Sequence, residues 1–150
     1  MKHKLIHSEF NPETGVSTVI IQNKYGHFTG KAKLDAADAA YPSKFQGCEY
    51  AEMKAIMSYL DERILLLRIE QKALMNCYVE MKQSCHFNEN SFEVKHLKKS
   101  IWNKSKLIVK LVGEKEQIKN RMEINIAERD ISAKHLSKHR NKIQQMGKKD

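Results

Sequence analysis

The stretch YAEMKAIMSYLDERILLLRIEQKALMNCYVEMKQSC, residues 50–85, decides the architecture. Within it Tyr50, Met53, Met57, Leu60, Ile64, Leu67, Gln71, Leu74, Tyr78, Met81 and Cys85 follow alternating steps of three and four. That spacing keeps one side of a helix apolar along its whole length and marks a heptad seam against a partner helix. Gln71 is its one polar interruption, and a polar residue in a seam commonly fixes register.

A second seam follows at once. Val94, Leu97, Ile101, Lys104, Ile108, Leu111, Lys115, Ile118 and Met122 keep the same spacing, which continues through Asn125, Arg129, Ser132, Leu136, His139 and Ile143 with more polar members. Between the seams lies the polar link Cys85–Ser91. There Asn90 with Glu93 resembles a capping box, and Ser91 is an alternative cap. Two long helices joined by a short link predict an antiparallel coiled-coil hairpin, with helix one over 48–86 and helix two over 91–146. A turn near residue 87 pairs positions whose numbers sum to about 175. This sets Gln71 level with Lys104, and Lys115 level with Asp61 and Glu62.

Upstream, the period changes from helical to alternating. KLIHSEF (4–10), VSTVIIQN (16–23) and HFTGKAKL (27–34) read as three strands, with turns at Asn11–Gly15 and Lys24–Gly26. In the third, Phe28, Gly30, Ala32 and Leu34 share one face. A short helical segment, DAADAAY, is expected after Asp35 and ends at Pro42. The fold class is therefore α+β: a small three-stranded antiparallel β-meander in a head of residues 1–47, plus the helical hairpin, as one structural unit. Such a small sheet needs a helix over its apolar face. Ile124, Ala127 and Ile131 leave the second seam as a separate stripe and are the expected cover.

Composition bounds the function. The chain has 150 residues, a net charge of +9, and 30% charged residues. Residues 1–86 hold 11 Lys/Arg and 10 Asp/Glu, whereas residues 87–150 hold 16 and 8. Nearly all of the basic excess thus sits in the second part of the chain, where it would attract polyanions or acidic proteins. No apolar run reaches the roughly 18 residues of a membrane span, and MKHKLIHSEF lacks the core of a signal peptide. No membrane association and a cytoplasmic location are expected. Cys48, Cys77 and Cys85 form no CxxC and read as buried thiols.

Catalytic patterns are thin. The segment Cys48–Ile56, CEYAEMKAI, follows three strands and opens a helix. It resembles the start of ribonuclease-H-like folds, where a helix-borne glutamate helps bind magnesium. The resemblance would assign that part to Glu52, with Glu9 as the first-strand acid. The later acids of that family have no strands to sit on here, and magnesium chemistry needs several converging carboxylates. The strands and helix also resemble double-stranded-RNA-binding modules, whose lysine cluster is represented only by Lys44. His135 and His139 stand at i and i+4, a zinc-compatible spacing without a third ligand nearby. Neither a metal nor a cofactor is expected, and the chain reads as a non-enzyme.

Two surface features remain. Lys95, Lys98, Lys99, Lys106 and Lys110 surround Trp102 in a segment, 94–113, that contains no acid. Lys134, Lys138, Arg140 and Lys142 extend the basic character toward the C-terminus. Lysines around an exposed aromatic ring point to nucleic acid or a nucleoprotein as partner. Leu65, Leu66, Ile69, Leu107, Val109 and Val112 lie off both seams at one level of the hairpin. Something must cover them, and a homodimer is the expected arrangement. The alternative is an interaction or inhibitor protein that docks on a host protein. Lysine outnumbers arginine 22 to 5, which points to an AT-rich genome and to a phage or mobile-element accessory, including an anti-defence protein.

Overall fold

In the computed structural model residues 2–33 and 44–147 are described, with side-chain surroundings for 2–33 and 47–124. Three antiparallel strands, β1 (Lys4–Asn11), β2 (Val16–Asn23) and β3 (Gly26–Lys33), lie in the order β1-β2-β3. Two helices follow, α1 (Lys44–Lys82) and α2 (Phe92–Gly147). The class is α+β. The segment 35–41 and Leu34, for which a helix and a strand end were expected, lie outside the described residues.

Local chemistry places the turns. Asn11 Oδ1 accepts from the Glu13 backbone N–H at 2.9 Å, and Gly15 donates to the Asn11 carbonyl at 2.8 Å. Gly15 has φ 68°, which an L-residue adopts only with strain. The second turn repeats the device, with Asn23 Oδ1 accepting from Tyr25 N–H at 2.8 Å and Gly26 at φ 132°. Side-chain carboxamides thus take over backbone donors that the ladder leaves free. In the β2–β3 register Ser17 faces Ala32, Val19 faces Gly30 and Ile21 faces Phe28. All six are buried, while the alternate β3 positions Thr29, Lys31 and Lys33 are exposed. One apolar face results from the period of two.

That face is covered by α1. Gly30 lies so close to the helix that an added Cβ would meet the Ala51 carbonyl oxygen and the Ala55 nitrogen. Gly47 is likewise pressed against the Ser17 side chain. Ala51, Ala55 and Tyr59 recur every four residues and form the sheet-facing stripe, with the Tyr59 ring edge-on to Phe28 at 5.1 Å. Small residues on both sides let the helix approach, and burying Val19, Ile21 and Phe28 contributes about 1.5–3 kcal/mol each. The expected cover by Ile124, Ala127 and Ile131 lies mostly outside the described side chains. Ile124 is 56% exposed, and the other two side chains are outside the described set. The sheet-facing side of α1 was not singled out in the sequence because Ala51 and Ala55 are too small to register as an apolar stripe.

α1 carries a second buried side of Met53, Leu60, Ile64 and Leu67. Along it, contacts to α2 run in opposite chain order. Asp61 pairs with Lys115, Glu70 with Lys104, Gln71 with Ser105, and Tyr78 lies against Lys98. The Gln71 amide donates to Ser105 Oγ and, at 3.5 Å, to the Ile101 carbonyl. Gln71 was expected level with Lys104. At that level the glutamine bonds the small hydroxyl of Ser105, while the Lys104 ammonium turns to the Glu70 carboxylate at the edge, where it remains hydrated.

The helix limits also differ from expectation. α1 ends at Lys82, where Gln83 and Ser84 donate to the Glu80 and Met81 carbonyls in tight three-residue steps. Cys85 therefore lies in the link and is exposed, as is Cys77, while Cys48 is half-buried. Ser91 caps α2, its Oγ accepting from Val94 N–H at 3.3 Å, whereas the Asn90 N–H is held by Asn88 Oδ1 at 2.9 Å. The chain divides into two compact units, Met1–Glu116 and Gln117–Asp150. The first holds the sheet, α1 and the start of α2. In the second, which continues α2, Met122 is buried and Arg121 and Glu123 are exposed.

Candidate nucleic-acid interface

Because α2 turns Val94, Leu97, Ile101, Ile108 and Leu111 inward, the residues between them form the solvent side. Phe92, Lys95, Lys99, Trp102, Lys106 and Lys110 are spaced three, four, three, four and four apart, and every one is exposed. They lie on one helical face as a single row. No acid occurs between positions 94 and 113, so the row keeps its charge along its whole length.

The lysines of this segment are not equivalent. Lys98 donates to Glu89 Oε1 at 3.0 Å and lies 5.5 Å from the Tyr78 ring centroid. The hydrogen bond to Glu89 raises the Lys98 pKa, and the same bond, with one from Tyr78, lowers that of Glu89. Lys104 is similarly tied to Glu70, whose pKa this bond lowers. Lys95, Lys99 and Lys110 make no ion pair among the described residues. Lys106 sits over Trp102, its Nζ 5.3 Å from the ring centroid. Of the five lysines that the sequence singles out, four are therefore free of acids, and Lys98 is compensated at the helix-link end.

Two aromatic rings interrupt the row. Trp102 is 61% exposed and Phe92 is 78% exposed. The Phe92 ring stacks on His96 with centroids 5.9 Å apart and an interplanar angle of 15°. Sequence reasoning found Trp102 but missed Phe92 and His96. The outward spacing, continued back one step from Lys95, would have found the phenylalanine.

Other candidates are dispersed. Lys134, Lys138, Arg140 and Lys142, with His135 and His139, have side chains outside the described set. Leu65 (60%), Leu66 (41%), Ile69 (57%), Leu107 (39%) and Val109 (72%) are exposed, and Val112 is half-buried. Leu65 and Val112 line one groove of about 360 Å³ between the helices, together with Ile64, Arg68 and the Asp61–Lys115 pair. Leu66, Ile69, Leu107 and Val109 do not line it. Glu9 is paired with His7 at 3.2 Å, and Glu52 is half-exposed on α1. Among the described residues no group of three His, Cys, Asp or Glu side chains could hold a metal ion. None of the helices, over the described residues, is long and apolar enough to cross a membrane.

No protein-family model, curated protein or solved structure matches the chain.

Proposed function

We propose that the chain is a non-enzymatic binding protein whose α2 surface engages nucleic acid or a nucleoprotein. The observation that carries this reading is the acid-free row of Lys95, Lys99, Lys106 and Lys110 on the solvent side of α2. Uncompensated ammonium groups in a line exchange small counterions for phosphates, and the released ions drive association. Phosphate contacts fix position without reading sequence, so the binding is salt-sensitive and weakly selective among sequences. Four such contacts give a log–log salt slope of about −3 to −4, at roughly 0.7–0.9 per phosphate. Gel-shift titration at several salt concentrations tests this. Changing Lys95, Lys99 and Lys106 together to Glu should abolish the shift for every sequence. Absence of any shift by wild-type protein at roughly 50 mM salt would refute the reading.

The helices would support that surface as an antiparallel coiled-coil hairpin, below a β-meander. Paired in this way they leave Leu65, Leu66, Ile69, Leu107 and Val109 facing water, and a second copy of the chain covering them would double the lysine rows and the avidity. The same exposed residues favour the second reading, a protein that docks on another protein. Light scattering of Leu66→Lys with Ile69→Glu separates the two. If the apolar residues serve a homodimer, wild type has twice the mass of the variant. A wild-type monomer at tens of micromolar leaves them to a foreign protein.

A further inference from the structure

The solvent row of α2 contains more than charge. At 1.5 Å per residue, Phe92 and Trp102 lie about 15 Å apart along the axis, with Lys95 and Lys99 between them and Lys106 and Lys110 beyond. Trp102 is thus flanked on each side by two lysines that make no ion pair among the described residues, at −7, −3, +4 and +8. Each ring is already backed by one neighbour, Trp102 by the Lys106 ammonium and Phe92 by the His96 imidazole. Both rings nevertheless stay mostly exposed and accessible to a further stacking partner. Leaving two large rings 61% and 78% exposed forgoes burial that an ordinary helix surface would not present in a regular row.

We propose that this row is a track for single-stranded nucleic acid, with bases stacking on Phe92 and Trp102 and phosphates held by Lys95, Lys99, Lys106 and Lys110. The inference rests on the nucleic-acid reading above and adds the strand state of the ligand. A duplex keeps its base faces inside its own stack, so it could use the lysines but would leave both rings idle. An unpaired strand can present base faces and backbone together, and stacking is indifferent to base identity. The row from Phe92 to Lys110 runs about 27 Å. A single strand of about eight nucleotides falls within the roughly 4–16 nucleotides that single-strand sites cover.

The chain has one tryptophan, so its emission reports on this site alone. An unlabelled single-stranded octamer should quench Trp102 on saturation, whereas a duplex of the same sequence should leave the emission unchanged. Anisotropy of fluorescein-labelled oligonucleotides gives the affinities. Trp102→Ala and Phe92→Ala should each weaken octamer binding by about 5- to 150-fold, the equivalent of about 1–3 kcal/mol per stacked base. Duplex affinity should stay within twofold, and Trp102→Phe should restore most of the loss. Both side chains are exposed, and unchanged melting would show that the variants remain folded. If octamer and duplex bind equally, or both lose equally in the alanine variants, the single-strand inference is overturned while the lysine reading stands. If neither binds at low salt, the lysine reading falls and takes this inference with it.

Discussion

Replacing Gly30 by alanine places a methyl group where the helix backbone already lies. The new Cβ would overlap the Ala51 carbonyl oxygen and press on the Ala55 nitrogen. Both are backbone atoms of α1, so no rotamer change relieves the contact, and the helix must move away from β3. The residues stacked across that contact, Val19, Ile21, Phe28 and Ala32 on the sheet and Ala51, Ala55 and Tyr59 on α1, are each less than a tenth exposed. Overpacking of this kind typically costs about 1–3 kcal/mol. A rigid backbone-to-backbone overlap belongs at the upper end, so we expect a loss of about 3 kcal/mol. At about 2–4 °C per kcal/mol for a chain of this size, the melting temperature followed by circular dichroism should fall by about 6–12 °C. Adding Ala51→Gly should not rescue it, because the clashing atoms belong to the main chain. Gly113→Ala is the matched control. Nothing lies within 4 Å of its added Cβ, and a glycine in a helix interior costs about 0.8–1 kcal/mol relative to alanine, so this change should raise stability. A Gly30→Ala protein melting within 1 °C of wild type would refute the proposed sheet–helix contact.

Leu67→Asp buries an unpaired carboxylate at a position 1% exposed and should cost about 3–5 kcal/mol, visible in urea unfolding as a lower midpoint; an unchanged midpoint would show that Leu67 does not pack against α2. Ser91→Ala removes the oxygen that accepts from Val94 N–H and should lower stability by about 1 kcal/mol, with Asn90→Ala at the neighbouring position costing less by the same melt. Burial, with help from the chain's N-terminal charge, lowers the pKa of His3 below 6.5, against the opposing pull of Glu114 and Glu52. The folded state then resists a proton that the unfolded chain accepts, so stability should decline as pH falls through about 6.5. His3→Asn should flatten that part of the stability–pH curve, and identical slopes in the two proteins would sink the assignment.

Much of the scaffold could be read directly from the chain. Side-chain period is a property of local geometry, so alternation in 16–23 and 27–34 and three–four spacing in 50–81 and 94–122 reveal strands and helices without any partner in view. The turns were equally legible, because Asn11, Gly15, Asn23 and Gly26 satisfy demands made within four residues. The lysine row followed from the absence of acids between 94 and 113, a fact of composition. What could not be read depends on distances between segments. Ala51 and Ala55 look bland in sequence and become the sheet-facing stripe only because Gly30 lets the helix in. Gln71 meets Ser105 and not Lys104, because spacing sets the level of two helices but not which of the neighbouring side chains there touch. Lys98 looks like its neighbours until folding brings Glu89 from the link to its ammonium group. Local order is thus encoded by periodicity, whereas the pairings that neutralise one lysine and leave the next free are set by tertiary proximity, which the chain's order does not record.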